Sequence, residues 1–159
     1  MVYLVGPETS TGFADGAGTV IFSGVPAGSY LPCGFAFGGV TGCGENLLVD
    51  NGQELQADLN LGQGGYIDIY LDEDDGSGAK SSVAVAAAKR GPRIEVRTAG
   101  GFDISSMLFM ASPPQPFSEG IRIGPLRADD YTVSVTTEAG ARQGHVQVYE
   151  GESSSLDLR

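Results

Sequence analysis

Val20-Ile-Phe-Ser-Gly-Val-Pro-Ala-Gly-Ser-Tyr30 decides the fold class. Val20 and Phe22 alternate with Ile21 and Ser23, Pro26-Ala-Gly28 makes a turn, and Tyr30 opens a new run. Side chains of an extended chain point to two faces in turn, so this spacing predicts half-buried strands joined by Pro/Gly punctuation. Ile121-Arg-Ile-Gly-Pro-Leu-Arg-Ala-Asp-Asp-Tyr131 is a weaker copy: strand, turn, tyrosine. Val49, Gly52, Asp58 and Leu59 match Val148, Gly151, Asp157 and Leu158 at one constant offset. The spacing repeats with the residues, which predicts two copies of one supersecondary design.

Upstream, Val2–Val5 reads as a strand, Pro7–Gly12 as a loop, and Phe13–Gly18 as a turn into a strand over Thr19–Phe22. Asp15 suits that turn because its carboxylate can accept from backbone amides just downstream. Downstream, Cys33 and Cys43 flank a hairpin centred on Gly38, which sets them opposite each other on neighbouring antiparallel strands. That geometry meets the short Cβ–Cβ requirement of a disulfide, worth about 2–3 kcal/mol for so short a loop. Two buried free thiols are the alternative, and a metal pair lacks nearby histidines. A disulfide implies an oxidising compartment: extracellular, cell-surface or periplasmic.

Asn51-Gly52 is a turn dipeptide, and Leu55, Ala57, Leu59 and Leu61 alternate with polar residues as a further strand. Gly62-Gln-Gly-Gly65 reads as a flexible break, giving domains over 1–62 and 63–159. In the second, Tyr66–Leu71, Arg93–Arg97, Ile121–Ile123, Thr132–Val135 and His145–Tyr149 read as strands, with Ser155–Leu158 closing the chain. Asp72–Ser82 reads as an acidic loop, Val83–Lys89 as strand in preference to a short helix, and Met107–Met110 as an apolar run. Ser112-Pro-Pro-Gln-Pro116 should be loop, since proline cannot donate to a ladder.

The formal net charge of −11 over 159 residues, with nine Lys and Arg, excludes a basic footprint for nucleic acid or an anionic membrane surface. No apolar run approaches the roughly 18–20 residues of a membrane span. Met1-Val-Tyr-Leu-Val-Gly-Pro7 has no signal-peptide pattern and reads as the edge of an excised segment.

Asp15-Gly-Ala-Gly-Thr-Val-Ile-Phe22, Gly24-Val-Pro-Ala-Gly-Ser-Tyr30, Val49-Asp-Asn-Gly52 and Asp58-Leu-Asn-Leu61 resemble the carboxypeptidase regulatory-like domain. The resemblance covers 13–61 well and 119–158 less well, where the Asp-x-x-Gly turn has no clear counterpart. It implies an all-β chain of two tandem transthyretin-like, Ig-like antiparallel sandwiches of about seven strands each. It also implies that the first copy lacks the strand preceding Val2–Val5, which the second has in Tyr66–Leu71. The motif residues are turn and core residues, so they imply a fold and no activity.

Chemistry is sparse. His145, the sole histidine, lies in an alternating strand and has no second histidine for a zinc site or triad. Ser77-x-x-Lys80 has a nucleophile's spacing without its partner motifs. Asp72, Asp74 and Asp75 are the only candidates for a metal, as oxygen ligands for Ca²⁺ in a Gly-containing loop, and a solvated turn explains them better. Asp129-Asp130 is weaker. Lys80 and Lys89, the only lysines, lie outside the opening strands an isopeptide bond would need.

The expectation is a non-catalytic structural or interaction module, no enzyme, of a larger exported or cell-surface protein. Its partners are neighbouring domains or chains of that protein, with no cofactor. The alternative is a carbohydrate- or peptide-binding accessory module using Tyr66, Tyr70, Phe35 and Phe37. The disulfide is directly checkable: intact protein from its native compartment should be lighter by two hydrogen atoms than the reduced form and resist alkylation. Two alkylated thiols would refute it.

Overall fold

The computed structural model describes residues 1–71, 92–137 and 140–159; Asp72–Ser82 and Val83–Lys89, the expected loop and strand, lie outside them. The described residues are all-β apart from one short helix. The first half holds β1 (Val2–Val5), β2 (Ser10–Gly12), β3 (Gly28–Ala36), β4 (Val40–Cys43), β5 (Leu47–Val49) and β6 (Gly62–Gln63). They form one sheet in the order β2-β1-β3-β4-β6, with β5 also on β3. The second half holds β7 (Gly65–Tyr70), β8 (Arg93–Thr98), the helix Ser105–Ala111, β9 (Gln115–Phe117), β10 (Gly120–Leu126), β11 (Asp129–Thr137), β12 (Gly140–Val148) and β13 (Ser153–Asp157). Its strands make two sheets, β13-β7-β10-β9 and β12-β11-β8.

Alternation explains the second half. Ile67, Ile69, Ile121, Ile123 and Leu156 of one sheet are buried, as are Ile94, Val96, Tyr131, Val133, Val135, Val146 and Val148 of the other. All belong to one hydrophobic cluster, so the two sheets face each other as a β-sandwich. The apolar run around Met107 is helical: Ser105, Met107 and Leu108 are buried, and Asp103 accepts from the Ser105 amide at 3.0 Å.

The expected repeat is present in register as well as in sequence. Gly28 faces Val49 and Tyr30 faces Leu47, just as Asp129 faces Val148 and Tyr131 faces Val146. The Tyr30 hydroxyl donates to the Pro26 carbonyl and the Tyr131 hydroxyl to the Arg127 carbonyl, both at 3.0 Å. This is the tyrosine-to-upstream-backbone bond found at sandwich corners. Burial first, and the Asp129 charge second, push the Tyr131 phenol above its ordinary range. After each unit the chain turns on a glycine in the left-handed region, Gly52 (φ 76°) and Gly151 (φ 70°), where a side chain would be strained.

Several expectations need correction. Ser10–Gly12 is a strand on β1, not loop. Pro116 lies in β9, tolerated because β9, among the described residues, pairs only with β10 and so forms a sheet edge. Thr19–Phe22 and Leu55–Leu61 are not strands, although Asp15 makes its turn by accepting from the Ala17 and Thr19 amides at 2.9 Å. The second half pairs the equivalent segments, β10 and β13, with β7. Among the described residues the first half has nothing in the place of β7, so these segments have no ladder to join.

The halves share their core. Tyr3, Val5, Leu31 and Cys33 lie on one face of the first sheet and join the same cluster as the second half. Gly62–Gly65 is a tight junction and no flexible break. The Gly64 amide donates to the Gly39 carbonyl at 3.0 Å, and a Cβ on Gly65 would lie 2.2 Å from the Tyr149 carbonyl oxygen.

The three buried tyrosines make a test. Tyr30→Phe and Tyr131→Phe should each cost about 1 kcal/mol, the net worth of one such hydrogen bond, and lower Tm. Tyr3 is fully buried, and its hydroxyl has no partner among the described residues. Tyr3→Phe should therefore leave Tm unchanged or raise it, and equal losses from all three would refute the assignment.

Candidate functional site

Two surfaces stand out once the strands are in place. The first is a groove of about 650 Å³ between the halves. Its walls include Thr41, Glu45 and Asp58 from the first half and Arg127 and Glu150 from the second. Arg127 Nη1 donates to the Cys43 carbonyl at 2.6 Å, so the turn that anchors Tyr131 also clamps the disulfide-bearing strand. A Glu150 carboxylate oxygen accepts from the Gln63 amide at 3.2 Å. The polar groups of the groove thus tie the halves together.

The second surface is the outer face of the sheet β13-β7-β10-β9. Because Ile67 and Ile69 point inward, Tyr66, Asp68 and Tyr70 point outward. Register sets Asp68 beside Arg122 and Ser155, and Tyr70 beside Asp157. Arg122 forks onto Asp68 with Nε–Oδ1 and Nη2–Oδ2 distances of 2.7 and 2.8 Å, a planar two-bond match. That hydrogen bonding first, and the carboxylate's charge second, raise the Arg122 pKa. The same guanidinium lies 5.8 Å from the Tyr66 ring centre, and Arg159 lies 5.8 Å from that of Tyr70. Phe117 meets Tyr70 edge-on at 5.5 Å. The result is a row of aromatic rings and guanidinium groups, with the two tyrosines about 13 Å apart along the strand at its ordinary rise.

The other expected residues are placed as follows. Cys33 and Cys43 face each other in register and are disulfide-bonded. Phe35 packs edge-on against Tyr3, while Phe37 is fully exposed at the hairpin tip. They do not join Tyr66 and Tyr70 in one platform. His145 is exposed and faces Thr132, its Nδ1 2.9 Å from the threonine hydroxyl. Asp129 accepts from the Asp130 amide at 2.9 Å, a structural task at the head of β11. Asp72, Asp74, Asp75, Ser77 and Lys80 lie outside the described residues. Among the described residues no group of three or more His, Cys, Asp or Glu converges to hold a metal ion. No described helix is long and apolar enough to cross a membrane.

Sequence reasoning found Tyr66 and Tyr70 and missed Arg122, Phe117, Asp157 and Arg159. Outward alternation was the only available signal, and it does not identify the cross-strand neighbour.

No known protein family, no curated protein and no solved structure matches this chain.

One titration checks this face. The Arg159 side chain first, and its backbone amide second, hold the Asp157 carboxyl at about 2. Its folded pKa is depressed, so its contribution to stability is full above the ordinary carboxylate range, about 4, and is lost as pH falls toward 2. Carboxyl chemical shifts should show that midpoint in the native chain. Arg159→Gln should move it up toward about 4 while the backbone bond remains, and an unmoved midpoint would refute the pairing.

Proposed function

We propose that this chain is a non-catalytic structural or interaction module of a larger exported or cell-surface protein, built on the transthyretin-like design twice over. The carrying observation is the repeated unit itself: strand, turn, hydroxyl-anchored tyrosine and paired return strand, in the same register in both halves. The shared core and the groove's interlocking bonds support a scaffold role, because they spend the conspicuous polar groups on holding one half to the other. The resemblance of Gly24–Tyr30 and Val49–Gly52 to carboxypeptidase regulatory-like domains supports the same reading, and the disulfide supports an oxidising location.

A second reading, an accessory module binding carbohydrate or peptide, is favoured by one observation: Tyr66, Tyr70 and Phe117 with two arginines on one outer face. Aromatic rings beside fixed hydrogen-bonding groups suit a polar ligand with an apolar face.

The two separate in one set of measurements. As a scaffold, the chain should turn over no ester, peptide or β-lactam above blank, with Ser77→Ala indistinguishable from the parent, and show no glycan- or peptide-array binding that depends on Tyr66 and Tyr70. Binding that is abolished by joint Tyr66→Ala and Tyr70→Ala substitution would establish the second reading, and turnover lost in Ser77→Ala would overturn both.

A further inference from the structure

The second half shows what the first half is shaped to receive. β7 lies between two strands, antiparallel to β10 and parallel to β13, and its Ile67 and Ile69 are fully buried. Ile69 faces Ile121 on one side and Leu156 on the other, and Ile67 faces Ile123 and Ser154. In the first half, Val20, Phe22 and Val25 stand before Tyr30 at the same distances as Ile121, Ile123 and Leu126 before Tyr131. Ala57 and Leu59 likewise follow Gly52 as Leu156 and Leu158 follow Gly151.

Along 20–22 burial alternates as it does along 121–123 in β10 of the other half. Val20, Phe22, Val25 and Leu59 are half-buried, while Ile21 between them is 82% exposed and Leu55 43%. Val20 and Phe22 lie over Gly12 of β2, and Leu59 and Leu61 lie over Gly34 of β3, on the face opposite Tyr3 and Cys33. Among the described residues the backbones of 20–25 and 54–61 enter no strand ladder and no backbone–backbone hydrogen bond. Two alternating segments with unspent donors and acceptors therefore flank the place that an apolar strand fills in the other half.

The geometry points to an acceptor site for one extended strand of a partner polypeptide, running antiparallel to 19–25 and parallel to 54–58. This is recognition by strand addition, in which main-chain bonds supply affinity and alternate side chains supply selectivity. The internal repeat specifies the occupant. It is apolar at two alternate positions, one opposite Val20 and Ala57, the other opposite Phe22 and Leu55. The polar residue between them lies on the outer face of the sheet, as Asp68 does. The open flanks make the site reachable from solution. This inference gives the interaction reading a partner class but does not depend on the outer Tyr66–Tyr70 face.

The probe is a synthetic peptide with the sequence of Gly65–Leu71, Gly-Tyr-Ile-Asp-Ile-Tyr-Leu, added to the full chain. Hydrogen exchange is read residue by residue. The peptide should slow exchange of the amides in 19–25 and 54–59 by about tenfold or more, saturably, and leave the second half unchanged as an internal measure of folding. A peptide with Asp at both isoleucine positions should protect nothing. Ala57→Pro, in an exposed segment outside every described ladder, should abolish protection by removing an amide the incoming strand needs. Unchanged exchange at millimolar peptide, or equal protection by the Asp peptide, would overturn the proposal. Loss of array binding in the Tyr66 and Tyr70 variants with peptide protection intact would leave it standing.

Discussion

An interior strand must pair its backbone on both edges, and in the second half β7 is the interior strand that joins β10 to β13. Its amides and carbonyls are shared between β10 and β13, and its isoleucines fill the middle of the sandwich. An unpaired buried amide or carbonyl costs about 1–3 kcal/mol, so neighbouring segments gain order largely by what β7 offers them. The two halves amount to a controlled comparison. Segments with matching alternation are strands beside β7 and irregular where nothing described takes its place.

The same comparison explains a difference in sequence that alternation alone leaves puzzling. The second half's β11 carries Thr132 and Ser134 on its outward face, while the equivalent stretch of β3 carries Leu31 and Cys33. The first pair meets water or the neighbouring strand, and the second pair is buried in the common core. The disulfide therefore sits on the inward face of a sheet that has turned its apolar side to its neighbour. Once the Arg127–Cys43 and Glu150–Gln63 bonds are made, the close approach at Gly64 and Gly65 leaves little freedom at the junction.

Local pattern was enough for much of the fold. Alternation placed β7, β8, β10, β11 and β12, turn chemistry placed Asp15 and Gly52, and symmetric spacing placed the Cys33–Cys43 pair. What escaped was set by distant residues. Whether Val20–Phe22 becomes a strand depends on a partner, not on its own sequence. Pro116 is acceptable because β9 is an edge among the described strands. The helix at Ser105 is short, has Ile104 at its N-cap with no capping side-chain bond, and so carries no start signal. At the candidate site, Tyr66 and Tyr70 were visible, while Arg122 depends on a register that joins residues 54 apart in sequence.

The parallel pairing of β7 and β13 has a mechanical meaning. A pull entering the chain before Gly65 and leaving after Asp157 drags two parallel neighbours in opposite directions along their common axis. The ladder is then loaded in shear, and its hydrogen bonds must fail together, unlike those of a hairpin opened from its free end one pair at a time. Resistance to such a load is governed by the unfolding rate rather than by equilibrium stability. The parallel pairing thus makes shear the loading mode of this ladder when force enters at those two points, while the disulfide keeps any force reaching the first sheet from opening the loop between Cys33 and Cys43.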